Sequence, residues 1–242
     1  EAPPEPRVRP GGRHPMDRIF APPEGRIFSC FPGAEERPGQ RRMAELVFDA
    51  VKAGEARFTA WRQGGADPES RPDGLLQAIE AGTGTGKSLG YLLPALQAKR
   101  HPVLVATRTK QLQRQLLDDD LPRARGILGV EVKAVLAKGR SNYLCRTAWE
   151  ELEDSPPGEI ARQDFGLWQA LPRWVKETQT GDREELGRYG EGESELWDRL
   201  NARAERCTGK QCPRYEDCFL TKLRVQVAEA DLETGLRPNA IG

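Results

Sequence analysis

The sequence contains no apolar run approaching the roughly 20 residues needed to span a bilayer, which excludes a transmembrane helix. It has no excess of either charge: 37 Lys and Arg stand against 37 Asp and Glu. Net charge therefore gives no argument for nucleic acid, and any basic track must be local. The opening stretch EAPPEPRVRPGGRHP has no apolar h-region, so it does not read as a secretory signal, and a cytoplasmic protein is expected. Residues 1–26 read as a flexible tail or a leftover of expression, apart from a short segment at Met16 to Phe20. No internal repeat is visible. With 37% hydrophobic and 31% charged residues, the composition fits a soluble protein with a real core and a broad solvated surface. The length of 242 residues allows one large domain or two small ones.

Five cysteines is an odd number, and without an export signal metal ligation is a better reading than a disulfide framework. Cys30, in the apolar phrase IFSCFPG, reads as an ordinary buried thiol. The other four form a set. Cys207, Cys212 and Cys218 follow the pattern C-x4-C-x5-C, and Cys145 lies far upstream in KGRSNYLC. Four thiolates are what a structural zinc or an iron–sulfur cluster requires. Zinc sites usually use paired C-x2–4-C knuckles, so the wider spacing leans toward a cubane cluster, with zinc and unrelated thiols left open. Gly209 and Pro213 predict a tight loop through these ligands rather than a helix.

Ala81 to Ser88, AGTGTGKS, matches the phosphate-loop signature. Gly82, Gly84 and Gly86 permit backbone angles that turn successive N–H groups inward around an anion, while Thr83 and Thr85 lie between them. The helix that follows adds its N-terminal dipole. Lys87 is the cation for the β and γ phosphates, and Ser88 is the Mg2+ ligand. Gln40, in RPGQRRMAEL, opens a helix upstream, and its amide has both the donor and the acceptor needed to read adenine.

A helix is predicted over Arg37 to Ala53, from the helical spacing of Met43, Leu46, Val47, Ala50 and Val51. Leu75 to Glu80 reads as a buried strand ending at the phosphate loop. A helix over Lys87 to Gln97, a strand over Pro102 to Thr107, a helix over Lys110 to Leu117 and a strand over Glu131 to Leu136 complete the order. This alternation implies an α/β protein with a parallel sheet. Thr107, Arg108, Thr109 and Lys110 fall at the carboxyl end of a strand, the binding edge of such a sheet, and suit phosphodiester oxygens. Residues 149–206 are acidic, carry tryptophans at 149, 168, 174 and 197, and read as a helical insert. Helix returns near Leu220 to Ala230.

The phrases EAGTGTGKS, ATRT, KGRSNYLC and C-x4-C-x5-C, with RPGQRRMAEL as a Q motif, resemble the DinG branch of the XPD-like superfamily 2 DNA helicases over roughly residues 27–230. The resemblance implies a RecA-like P-loop sheet, the first part of a helicase domain over residues 27–140, a mostly helical iron–sulfur domain over 141–220, and a return toward the helicase domain over 221–242. It implies ATP-dependent unwinding with 5′ to 3′ polarity in DNA repair or replication, by a monomer acting on single-stranded and forked duplex DNA. Gly82, Thr83, Gly84, Thr85, Gly86, Lys87 and Ser88 would bind ATP and Mg2+, with Lys87 and Ser88 catalytic and Gln40 on adenine. Cys145, Cys207, Cys212 and Cys218 would hold a [4Fe–4S] cluster. Arg108, Lys110, Lys138, Arg140 and Tyr143 would contact DNA, with aromatic side chains of the insert stacking on bases. Other readings are a zinc-containing nucleic-acid-binding module with a structural P-loop, and an iron–sulfur carrier ATPase. The sequence departs from the family pattern in having no Asp-Glu-Ala-His motif and no second RecA-like domain. It also lacks an apolar strand with an Asn-His pair after the fourth cysteine. These departures lead to the expectation of a fragment, with residues omitted near Ala230 to Leu232, that is inactive alone.

Overall fold

A computed structural model of the protein describes residues 13–65, 68–98 and 102–236. Backbone contacts divide the chain into two units: Glu1–Val103 with Arg114–Val132, and Leu104–Gln113 with Lys133–Gly242. The division does not fall at the expected boundaries near 140 and 220, because the strands belong with the cysteine-bearing segment.

The first unit is helical. The helix α1 (Asp17–Phe20) and the helix α2 (Arg26–Cys30) precede the long helix α3 (Pro38–Gln63). Proline at the first position suits the start of α3, because the N–H it lacks has no intrahelical partner there. The helix runs ten residues past the expected end at Ala53. A single Gly54 costs only about 1 kcal/mol, and no proline intervenes before Gly64. The helix α4 (Lys87–Ala98) buries Leu92, Leu93, Ala95, Leu96 and Ala98, as a helix that is apolar around most of its circumference must. It packs on α3, where Gly90 permits close approach: a Cβ there would stand 3.2 Å from the Met43 sulfur. The other side of α4 meets a π-helical turn (Leu116–Asp120) and the helix α6 (Leu121–Leu128).

Two expectations do not hold, for Cys30 and for Leu75 to Glu80, whereas a third, at Met16 to Phe20, does. Met16 to Phe20, the segment set apart from the tail, joins the core: Met16, Ile19 and Phe20 are buried, and Asp17 pairs with Arg41 at 2.7 Å. Residues 1–12 lie outside the described residues. Cys30 is exposed rather than buried, on a short helix that buries none of its side chains. Leu75 to Glu80 forms no strand, and Leu76 is 92% exposed. An apolar run becomes a strand only where a neighbour takes its N–H and C=O groups, and among the described residues none pairs with it.

The second unit carries a three-stranded sheet in the order β1 (Val103–Thr107), β3 (Leu232–Leu236), β2 (Ala134–Ala137). β2 and β3 run parallel, with Ala134 opposite Leu232 and Ala137 opposite Gly235. β2 begins three residues later than expected, because its pairing starts at Ala134. The predicted helix at Lys110 is the helix α5 (Lys110–Gln115), which passes into the π-helical turn instead of continuing to Leu117. The helices α7 (Arg146–Asp154), α8 (Phe165–Glu177), α9 (Glu195–Leu200) and α10 (Phe219–Ala228) follow.

Trp149, Leu152, Leu167, Leu171, Trp174, Leu196, Trp197, Leu200 and Phe219 form one buried cluster, and Trp168 packs partly buried against it. The insert's tryptophans therefore make its core. Two of the indole N–H groups are satisfied internally: Trp197 donates to the Ser141 carbonyl at 2.9 Å, and Trp174 to the Glu185 carboxylate at 3.1 Å. Gly181 sits at φ +68° with the Phe219 ring against its Cα, leaving no room for a side chain.

Candidate functional site

The phosphate loop lies between the extended stretch after Pro72 and the first turn of α4. Gly84 and Gly86 take φ of +78° and +75°, angles that other residues adopt only at a cost. Side chains engage the loop through its carbonyls. Lys87 donates to Ala81 at 3.0 Å and to Gly82 at 2.8 Å, Arg37 donates to Gly84 at 3.2 Å, and the Thr85 hydroxyl donates to Gly82. These bonds do not consume the loop's N–H groups, which are the donors an anion needs. Gly82, Thr83, Gly84 and Lys87 are exposed, so the cradle is open to a ligand.

Gln40 reaches this loop and bonds to it through its amide nitrogen. Its side chain is buried, and Nε2 donates to the Gly86 carbonyl at 2.8 Å. A Cβ on Gly86 would collide with that amide. Gln40 thus braces the loop through one of its two amide N–H donors, which leaves the second N–H and the carbonyl for other partners.

The sequence reading missed a carboxylate beside Ser88. Asp120 ends the π-helical turn, is buried, and accepts a hydrogen bond from the Ser88 hydroxyl. Burial pushes its carboxyl up, against the opposing pull of that bond and of Arg123. Burial also pushes the neighbouring Tyr91 phenol up, reinforced by the Asp120 charge. Three consecutive aspartates at 118–120 offered no signal for which one turns inward; the π turn selects Asp120.

The four cysteines Cys145, Cys207, Cys212 and Cys218 all line one cavity of about 270 Å³ in the second unit. Backbone pairing brings the distant Cys145 to the other three. Cys145 N–H donates to the Leu200 carbonyl at 2.8 Å, and Ala202 N–H donates to the Tyr143 carbonyl at 2.8 Å. The chain then reaches Cys207 and passes Cys212 and Cys218 through tight turns, with Gly209 at φ +58°. Arg146 clamps this loop, donating to the Asp217 carbonyl at 3.0 Å with its guanidinium 4.3 Å from the Phe219 ring centre. Arg214 adds an ion pair to Glu150.

Cys145 stands at the N-cap of α7 and Cys218 at the N-cap of α10, and neither side chain caps its own helix. The unpaired N–H groups of two first turns therefore favour negative charge beside these sulfurs. Thr147, Arg203, Arg206 and Arg224 line the same cavity and were not found from the sequence, although three arginines flanking the cysteines were a usable signal. No group of three or more His, Cys, Asp or Glu side chains among the described residues is arranged to hold a metal ion.

The residues expected to contact DNA divide sharply. Arg108 and Lys110 are exposed after β1, and Lys110 pairs with Glu184 at 2.9 Å. Arg140 is half-buried in a 3-10 turn. Lys138 and Tyr143 are buried, which takes them out of a DNA-contacting surface. The Lys138 ammonium pairs with Asp182 and, at 2.8 Å, with Glu184; the Tyr143 phenol oxygen accepts from the Lys138 N–H at 3.1 Å. Short-range sequence gave no sign of Asp182 and Glu184, which lie more than 40 residues away.

Burial pushes the Tyr143 hydroxyl up to about 12, with the Asp182 and Glu184 charges adding to the effect. Because the folded value exceeds the ordinary ~10, the folded state keeps this proton longer than the unfolded one. Stability is intact below pH ~10 and falls as pH rises toward ~12. Chemical denaturation across that range should show a loss of about 2–3 kcal/mol in the wild type. The Tyr143→Phe variant should lack this component; equal losses in both proteins would refute the assignment.

No family model matches the chain. It is 34% identical over 217 residues to the ATP-dependent DNA helicase YoaA of Escherichia coli, covering 90% of this chain and 30% of that protein. It is 34% identical over 220 residues to the ATP-dependent helicase DinG of Mycobacterium tuberculosis, covering 83% of this chain and 30% of that protein. A third relative, named the 3′-5′ exonuclease DinG of Bacillus subtilis, is 36% identical over 181 residues, covering 73% of this chain and 17% of that protein. The chain thus spans about 30% of the length of the first of these relatives. Identity sustained over most of its own residues, to proteins carrying the DinG and YoaA names, places this chain in the DinG-type helicase family.

Proposed function

We propose that the chain forms the nucleotide-binding and cysteine-centre part of an ATP-dependent DNA helicase that unwinds forked duplexes with 5′ to 3′ polarity during repair or replication. The carrying observation is the phosphate loop: two glycines at positive φ, carbonyls held by side chains, and exposed Lys87 at the head of α4. In this reading the loop belongs to a RecA-like sheet. Lys87 exchanges the Ala81 and Gly82 carbonyls for β and γ phosphate oxygens, and the loop N–H groups take the remaining charge. Ser88 would hold Mg2+, with Asp120 orienting its hydroxyl. Gln40 keeps the Gly86 turn in the shape that presents those N–H groups.

All four cysteines line one cavity, and their C-x4-C-x5-C spacing, wider than the paired knuckles usual for zinc, favours the [4Fe–4S] reading. Two helix N-termini suit the net negative charge of a thiolate-ligated centre. When bound, such a cluster cross-links the loop covalently and can carry one electron. The residues themselves fix the geometry: the Leu200 and Tyr143 carbonyls set Cys145, and Arg146 sets the approach to Cys218.

Two measurements test the proposal. Anaerobically purified protein should contain ~4 iron and ~4 acid-labile sulfide per chain; one zinc and no sulfide would overturn the cluster. Lys87→Ala should weaken binding of a fluorescent ADP analogue by at least about tenfold, the equivalent of one charge-assisted contact of roughly 1.5–3 kcal/mol. Unchanged binding would remove the nucleotide role.

A further inference from the structure

We propose that Thr147 is a positioning residue for the cysteine centre: its hydroxyl donates a hydrogen bond to the Cys145 sulfur and raises the reduction potential of the cluster bound there. The inference rests on the [4Fe–4S] reading above and extends it to a residue that is not a ligand. Thr147 Oγ1 lies 3.1 Å from Cys145 Sγ, and both residues line the cavity shared by all four cysteines. As a free thiol, Cys145 could be either donor or acceptor. As a metal ligand it is a thiolate with no proton to give, so only the hydroxyl can donate.

Cys145 holds the N-cap of α7, so Thr147 is carried by the same first turn and its distance to the sulfur is set locally. Reduction adds one electron, and part of that charge resides on the ligand sulfurs. A donor at 3.1 Å stabilises the more negative state more than the less negative one. Removing the donor therefore lowers the potential.

The test uses the anaerobically purified full chain, with iron and sulfide assayed first. Thr147→Val keeps the volume and removes the hydroxyl, while Thr147→Ser keeps the hydroxyl. The proteins are titrated with dithionite against redox mediators and followed by the paramagnetic signal of the reduced state. At the wild-type midpoint, the reduced-to-oxidised ratio should fall roughly tenfold in Thr147→Val, a downward shift of ~59 mV for one electron. Thr147→Ser should titrate like the wild type. Full iron content with an unchanged midpoint in Thr147→Val overturns the proposal. Loss of iron from Thr147→Val alone also overturns it, replacing a tuning role with an assembly role. Absence of iron and sulfide from the wild type itself refutes the cluster reading, and the inference falls with it.

Discussion

Lys138→Ala should destabilise the second unit by about 3–5 kcal/mol, the usual cost of removing one partner from a buried ion pair. The Lys138 side chain is only 2% exposed, and its ammonium faces both Asp182 and Glu184. Truncation takes away the buried ammonium that Asp182 and Glu184 share, while Lys110 still pairs with Glu184 at the rim. The same change removes packing around Tyr143, whose hydroxyl is held by the Lys138 N–H. A lower midpoint in urea denaturation is the expected reading, with little rescue or worsening by salt because the pair is shielded from solvent. Adding Asp182→Asn to Lys138→Met should recover part of the loss, since it removes one of the stranded charges. A Lys138→Ala protein with wild-type stability and weakened binding to single-stranded DNA would restore Lys138 to the DNA surface and refute the burial argument.

Trp197→Ala should cost a comparable 3–5 kcal/mol, the range for deleting a large aromatic side chain from a core. Trp197 is 1% exposed, packs 6.1 Å centre-to-centre from Trp174, and donates to the Ser141 carbonyl. Its removal opens a cavity and strands that carbonyl. The damage should reach the cysteines, because α9 ends at Leu200, whose carbonyl holds the Cys145 N–H. Thiol-reactive dye should therefore label Cys145 faster in the apo variant than in the apo wild type. Trp197→Phe, which keeps most of the volume and loses the hydrogen bond, should cost about 1–3 kcal/mol. Equal labelling rates in Trp197→Ala and wild type would separate the tryptophan core from the cysteine site.

These two residues show what a local reading misses. Lys138 and Tyr143 sit in the basic, polar phrase AKGRSNYLC, which by composition looks like a surface that meets phosphate. Their environment is decided by Asp182, Glu184 and the Ala202 segment, brought in from far along the chain. The tryptophans are a second case. Nothing in their spacing distinguishes a stacking platform from a core, and only the packing of α7, α8 and α9 settles it. Asp120 is a third case: within a run of three identical residues, the winding of one turn decides which carboxylate faces Ser88.

By itself the sequence determined the parts whose physics is contained within a few residues. The glycine-lysine-serine loop needs only its own backbone angles and the helix that follows. The periodicity of α3, α4 and α10 likewise comes from i to i+4 neighbours, and the four cysteines were identifiable by residue type and spacing. The tertiary structure decided everything that depends on a distant partner. It gathers Cys145 with the cysteine loop and sets Thr147 against the sulfur. It sets Gln40 against Gly86, and among the described residues Leu75 to Glu80 has no strand to pair with. Burial, ion pairing and strand formation are properties of two segments at once, and the sequence of either one carries half of the information.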